Sequence, residues 1–159
     1  MKTSRTQQES LSHLTPPGTA YPGLPSLHLS DNRRLTSNIH ECTRAWSVHL
    51  GQKYGLAATL LDTGDKYEPE VPEKPSIPDG ADELDRVAAT EQYKESIKMY
   101  MRKQHEIEKS YTCIFSFLHG QLSTESRTKV EATDDWSTIY RERDAAGIWK
   151  AIRRSEERR

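Results

Sequence analysis

The side chains through which this 159-residue chain could do metal or acid–base chemistry are six histidines, two cysteines and 24 carboxylates, and their spacing keeps them apart. His40 and His49 fall in one candidate helix nine residues apart, or two and a half turns, so they point to opposite faces and cannot share a metal ion. His13, His28, His105 and His119 are scattered. His119, directly before Gly120, suits a helix C-terminus, where an imidazolium meets the negative end of the helix dipole. Cys42 and Cys113 stand 71 residues apart without a CxxC pair, which suggests neither a zinc site nor a disulfide framework and makes a reducing compartment the default. Carboxylates occur in exposed patterns such as Asp134–Asp135 and Glu156–Glu157, and no nucleophile with a neighbouring base assembles by spacing. Gly51 and Gly55 lack the Lys-Ser/Thr that follows a phosphate-cradling loop. These residues imply no enzyme, no cofactor, no metal and no small-molecule substrate.

What must be positioned instead is an apolar stripe. Tyr93, Ile97, Tyr100, Gln104, Ile107, Tyr111, Ile114 and Leu118 alternate four and three apart, the period that holds one helix face against a partner. Lys94, Glu95, Lys98, Arg102, Lys103, Glu106 and Lys109 fill the intervening positions as a solvated back. The stripe is expected to pack and assemble, with Ile107 and Ile114 at the centre of the core. It predicts a long helix from near Ala81, capped by Asp79 or Asp82, to Gly120. The remaining aromatics, Trp46, Phe115, Phe117, Trp136 and Trp149, mostly hold helix-period positions, and Trp136 and Trp149 are further candidates to drive association.

The apolar fraction of 33% lies well below the roughly 45–50% usual for a globular domain, so part of the chain is expected to stay unfolded. Charges cancel overall, 23 basic against 24 acidic, which removes a global pull towards nucleic acid. Only the end is locally basic: Lys150, Arg153, Arg154, Arg158 and Arg159 face Glu156 and Glu157, and Lys150, Arg153 and Arg154 are the candidate nucleic-acid contact. A solvated helix end is the alternative. No apolar run reaches the roughly 18 residues of a membrane span and the first 30 residues lack a signal-peptide core, so the expectation is a soluble, cytoplasmic protein that makes no membrane contact.

The chain divides by composition. Residues 1–30, rich in Ser, Thr, Pro and Gly, have no apolar period and are expected to form a disordered arm. Residues 31–62 hold an N-terminal helix, capped by Asp31, with Leu35, Ile39, Cys42, Trp46 and Leu50 inward and an end at Gly51 or Gly55. Residues 63–79 form an acidic, proline-rich spacer in which Pro69, Pro72, Pro75 and Pro78 recur every third position, along one edge of a polyproline II helix. Lys66, Pro69 and Pro72 also satisfy the spacing of an SH3 ligand, although Glu68, Glu70 and Glu73 suit such grooves poorly. Residues 80–155 continue with the long helix, a short helix from Ser123 or Thr124 through Val130, a connecting segment around Trp136 and Ile139, and a last helix capped by Asp144 with Ala145, Ile148, Trp149 and Ile152 inward. Residues 156–159 are a charged tail. The fold class is all-α, with four to five helices around one long central helix.

Several of these segments resemble Gag-like proteins of LTR retrotransposons. The resemblance lies in the lysine-rich helix Tyr93–Lys109, the aromatic-apolar passage and small-residue helix of Tyr111–Ala132, the acidic aromatic loop Asp134–Ile139, and the terminal apolar helix Asp144–Arg153. Ile39–Cys42, Lys53–Gly55 and the Pro69–Pro78 spacer resemble the region that precedes the long helix in that family, so the likeness covers roughly residues 35–155. His119 stands where an aromatic is common, and Leu122 where cysteine is frequent. The resemblance implies a capsid-type protein that self-associates as a homo-oligomer around the element's RNA. RNA binding would fall to a zinc-knuckle segment downstream, which makes this chain an amino-terminal fragment or a truncated copy. A host helical adaptor, pairing its long helix with one partner helix, is the alternative.

Overall fold

The computed structural model describes residues 21, 23–29 and 37–157. The first helix, α1, covers Ile39–Tyr54, and the residues at its three- and four-residue spacing, Ile39, Cys42, Trp46 and Leu50, are all buried. Gly55 ends it at φ +57, a conformation that side-chain-bearing residues adopt only with strain. A 3-10 turn over Gly55–Thr59 and a single helical turn, α2, over Leu60–Thr63 then bury Ala57, Ala58, Leu60 and Leu61. Asp31 and Leu35, the expected cap and first inward residue of α1, lie outside the described residues.

The long helix, α3, runs Glu83–Gly120 with Asp82 at its N-cap position, close to the bounds expected from the stripe and its flanks. Its 38 residues extend about 57 Å. The short helix α4, Thr124–Glu131, begins where the Ser123 hydroxyl accepts a hydrogen bond from the Ser126 amide at 3.2 Å. Residues expected to form a connecting segment are instead a helix, α5, over Trp136–Glu142, which buries Ile139. The last helix, α6, spans Ala145–Glu157; Asp144 Oδ1 accepts from the Gly147 amide at 3.0 Å, and Ala145, Ile148, Trp149 and Ile152 are buried as their spacing predicted. Gly147 is fixed by this cap: a Cβ there would lie 2.7 Å from the Asp144 carboxylate and 2.9 Å from the Ile139 side chain. Among the described residues there is no strand, only an isolated parallel bridge between Leu27 and Leu122.

That bridge corrects the expected disordered arm of residues 1–30 only at its end, residues 23–29; residues 1–20 lie outside the described residues. Leu27 and Leu29 are fully buried, wedged against the α3–α4 junction, with Leu27 N–H donating to Gln121 O at 2.8 Å and Ser123 N–H to Leu27 O at 3.0 Å. Leu29 N–H donates to Ser126 Oγ at 2.7 Å, and Lys129 Nζ to Leu29 O at 2.8 Å. The local signal was the pair Leu27 and Leu29 around His28, an apolar alternation of period two that a three- or four-residue search passes over.

The α3 stripe is used in two parts. Tyr111, Ile114 and Leu118 are core residues together with Phe115 and Phe117, whereas Tyr93, Ile97, Tyr100 and Ile107 are half-buried and Gln104 is exposed. No residue between Glu83 and Ser110 is fully buried, and Ile107 is the first to pack against the core, so the upstream two-thirds of α3, Glu83 to Glu106, projects from it. The expected equivalence of Ile107 and Ile114 therefore fails. Ile114→Ala is expected to cost about 2–5 kcal/mol, as deletions from a closed core do, and Ile107→Ala clearly less. Chemical denaturation of the two variants measures this, and equal losses would mean that the projecting part is as tightly packed as the core.

The proline spacer accompanies the projecting helix. The Tyr67 amide donates to the Tyr111 hydroxyl, fixing the start of the spacer at the core end of α3. From Glu83 to Tyr111 the helix climbs about 42 Å. The spacer returns that distance from Tyr67 to Asp82 at about 2.8 Å per residue, near the ~3.1 Å rise of polyproline II. Pro69, Pro72 and Pro75 are half-buried while Glu68, Glu70, Val71, Glu73 and Lys74 are exposed, which is the one-edge arrangement that the three-residue recurrence predicted. Pro78, at the turn into α3, is exposed.

Candidate functional site

The feature of this molecule that exceeds the needs of its own core is the hairpin made by the spacer and the projecting part of α3. Its inner side is a shallow groove with Tyr67, Pro69 and Pro72 on one wall and Ser96, Tyr100 and Lys103 on the other. At its base, burial raises the Tyr111 phenol above its ordinary range, with the Tyr67 amide bond partly opposing, so the hydroxyl stays protonated at neutral pH. Lys66 Nζ lies 5.4 Å above the Tyr111 ring and 3.7 Å from the Asp144 carboxylate, tying the spacer to α6 as well. Pro69 and Pro72, the edge that an SH3 groove would read, are the half-covered edge of the spacer, and Lys66 is engaged with Asp144.

The hairpin's outer side is open. Leu84, Val87, Met99 and Met101 are 79%, 57%, 68% and 62% exposed, values unusual for apolar side chains on one helix. None of them belongs to the stripe singled out from the sequence: Leu84 and Val87 lie across the helix from it, whereas Met99 and Met101 stand on its two flanks, Met99 lining the groove with Pro69 and Pro72. The stripe residues thus divide as follows: Tyr111, Ile114 and Leu118 hold the core, while Tyr93, Ile97, Tyr100 and Ile107 face the spacer side. The exposed set escapes a periodicity search because Leu84, Val87 and Met99 are interrupted by charged residues on the same face.

The candidate nucleic-acid contact is brought together but neutralised. Arg154 Nη2 donates to Asp135 Oδ2 at 3.1 Å, and this bond, more than any other influence, holds the Asp135 carboxyl below its ordinary range. Lys150 Nζ lies 3.5 Å from the Asp65 carboxylate, and the Arg153 guanidinium sits 5.9 Å from the Trp149 ring centre. These cations have local partners and share their surface with Asp135, Asp144 and Glu157. Trp149 itself is buried and Trp136 half-buried, so Trp149 is not available to drive association as its size suggested.

His119, His49 and Cys42 occupy structural positions. His119, in the last turn of α3 as expected, stacks on Phe115 at 6.0 Å and lies 5.4 Å from Trp136, with Nε2 3.0 Å from Glu131 Oε1. Arg143 caps the same aromatic group, 4.3 Å from the Tyr140 ring centre. His49 is half-buried between Phe117 and Tyr21, at 5.5 and 5.4 Å, where a surface position was expected; His40 is exposed on the other side of α1. Burial pushes the Cys42 thiol up to about 12, so it remains an unreactive core group. Among the described residues no three His, Cys, Asp or Glu side chains are grouped to hold a metal ion, and no helix is long and apolar enough to cross a membrane.

No protein-family model matches the chain, and no curated protein or solved structure matches it.

Proposed function

We propose that this chain is a structural self-association module, in the manner implied by its resemblance to retrotransposon Gag-like capsid proteins, rather than a catalyst or a one-to-one adaptor. The observation that carries this reading is the projecting α3 hairpin, whose exposed Leu84, Val87, Met99 and Met101 are held away from the core that the rest of the chain completes. A monomer gains nothing from a rod of that length. An assembling subunit gains a stiff arm, because a helix backed by a polyproline segment loses little further freedom on binding. Nucleic acid is not the expected glue, since net charge is near zero and Lys150 and Arg154 are paired with carboxylates.

Burial of apolar surface is not screened by salt, whereas binding through phosphate contacts is. Light scattering across a protein concentration series, at low and high salt and without RNA, is expected to give growth that persists in high salt. A strict monomer at every concentration would reject the reading in favour of the adaptor, and growth that requires RNA and vanishes with salt would reject it in favour of nucleic-acid binding.

A further inference from the structure

The outward side of the hairpin has a polarity of its own. Residues 84, 88, 91, 95, 98 and 102 follow one another at three- or four-residue steps and, with Val87 beside them, form one face of α3, opposite the stripe that meets the spacer. Along this face and its edges the charges are segregated. The turn and first helical residues carry Asp79, Asp82, Glu83, Asp85 and Glu91 against Arg86, whereas the next stretch carries Lys94, Lys98 and Arg102 against Glu95. The apolar residues sit in both stretches, Leu84 and Val87 at the acidic end, Met99 and Met101 in the basic part.

We propose that this face of α3, from Leu84 to His105, is a homotypic docking surface on which the same face of a second copy lies antiparallel about a two-fold axis. The proposal rests on the self-association reading and names its surface. Charge decides the orientation: a parallel copy in register would set acid on acid and base on base, while an antiparallel one sets the acidic end of each helix beside the basic part of the other. An axis between Lys94 and Glu95 places Glu91 opposite Lys98 of the second copy and sets Glu95 level with its Lys94 and Ala88 level with its Met101. Val87 then meets the stem of Arg102 and Leu84 meets His105, and the two-fold repeats every contact. The paired stretch is about 32 Å long.

The existing partners do not stand in the way. Glu91–Lys94 and Glu95–Lys98 are exposed contacts at 3.3 Å one turn apart, of the kind that contributes little and exchanges readily. The spacer covers the opposite side, so pairing leaves the hairpin intact. Charge complementarity sets the register, and burial of Leu84 and Val87, with Met101 at the edge of the face, supplies the part of the affinity that survives in salt.

Cysteine cross-linking of the full chain tests the geometry, in a Cys113→Ser background that leaves only the buried Cys42. Glu95→Cys, beside the axis, is expected to give a disulfide-linked dimer under mild oxidation. Leu84→Cys alone is expected to give none, and Leu84→Cys mixed with His105→Cys to give a heterodimer. Cross-linking of Leu84→Cys with itself as efficient as that of Glu95→Cys would overturn the antiparallel pairing. In sedimentation, Glu91→Lys is expected to weaken association about tenfold, and Glu91→Lys combined with Lys98→Glu to restore it. If the unmodified chain associates and Glu91→Lys changes nothing, this surface is wrong while the self-association reading stands. If the unmodified chain never associates, both fall.

Discussion

Trp46→Ala is expected to leave the chain with little or no cooperative unfolding transition. Trp46 is fully buried on α1, its ring lies edge-on to Phe117 of α3 at 5.7 Å, and its Nε1 donates to Pro25 O at 3.0 Å. The side chain therefore joins three parts of the molecule: α1, the core end of α3 and the buried N-terminal segment. Truncating a buried Trp or Phe to Ala typically costs about 3–5 kcal/mol, because the transfer term and the residual cavity add. Here the Pro25 carbonyl also loses its shortest hydrogen bond; its other neighbours are Gln121 Nε2 at 3.4 Å and Cys42 Sγ at 3.9 Å. Because the Gln121 bond remains, losing this hydrogen bond adds about a further 0.5–1.5 kcal/mol. The total is comparable to the whole stability of a small domain, about 5–15 kcal/mol. Trp46→Phe separates the two causes: it retains most of the ring and loses the donor, so a loss of about 0.5–1.5 kcal/mol from the hydrogen bond is expected. Denaturant titration followed by circular dichroism measures both. Equal losses for the two variants would place the cost in the hydrogen bond rather than in packing.

What was legible in the sequence was whatever has a helical period and a chemically marked end. Ile39, Cys42, Trp46 and Leu50 are buried as their spacing requires, and α3 stops at Gly120 as the glycine signalled. Ser123 and Asp144 cap α4 and α6 through the side-chain bonds expected of them. The stripe on α3 was recognised, but its period could not say how far the rest of the chain reaches. A helix face has the same pattern whether it meets a core, as at Ile114, or a proline spacer, as at Tyr100. Helix α5 was missed because Trp136–Glu142 offers only two turns and a single buried position, Ile139, too little for a period. The exposed apolar set was missed for the opposite reason: its members alternate with charges that a periodicity search counts as a solvated back. The proposed docking face therefore became visible only once the structure put the spacer on one side of α3 and no other described segment on the other. Composition misled most at the N-terminus, where many prolines and polar residues hid two leucines with a fixed place in the core.

Removing residues 1–29 is accordingly expected to abolish the folded state, although their composition suggested that they could be dispensed with. Leu27 and Leu29 are 0% and 1% exposed, and deleting a buried leucine side chain alone costs about 2–5 kcal/mol. The same segment satisfies polar groups that are themselves buried. Gln121 O and the Ser123 amide pair with Leu27, the Ser126 hydroxyl donates to Leu27 O at 2.9 Å, and the Trp46 indole depends on Pro25 O. Gln121 and Ser126 have no exposed surface, so removing the segment leaves their partners open at the bottom of an apolar slot. The combined loss exceeds what a single core of this size holds in reserve. Far-ultraviolet circular dichroism and thermal melting of the truncated chain are expected to lack the native transition. Leu27→Ala in the full chain, which keeps the backbone bonds, should instead melt cooperatively with a loss of about 2–5 kcal/mol. A truncated chain that melts like the full one would show that Leu27 and Leu29 do not occupy this slot in solution.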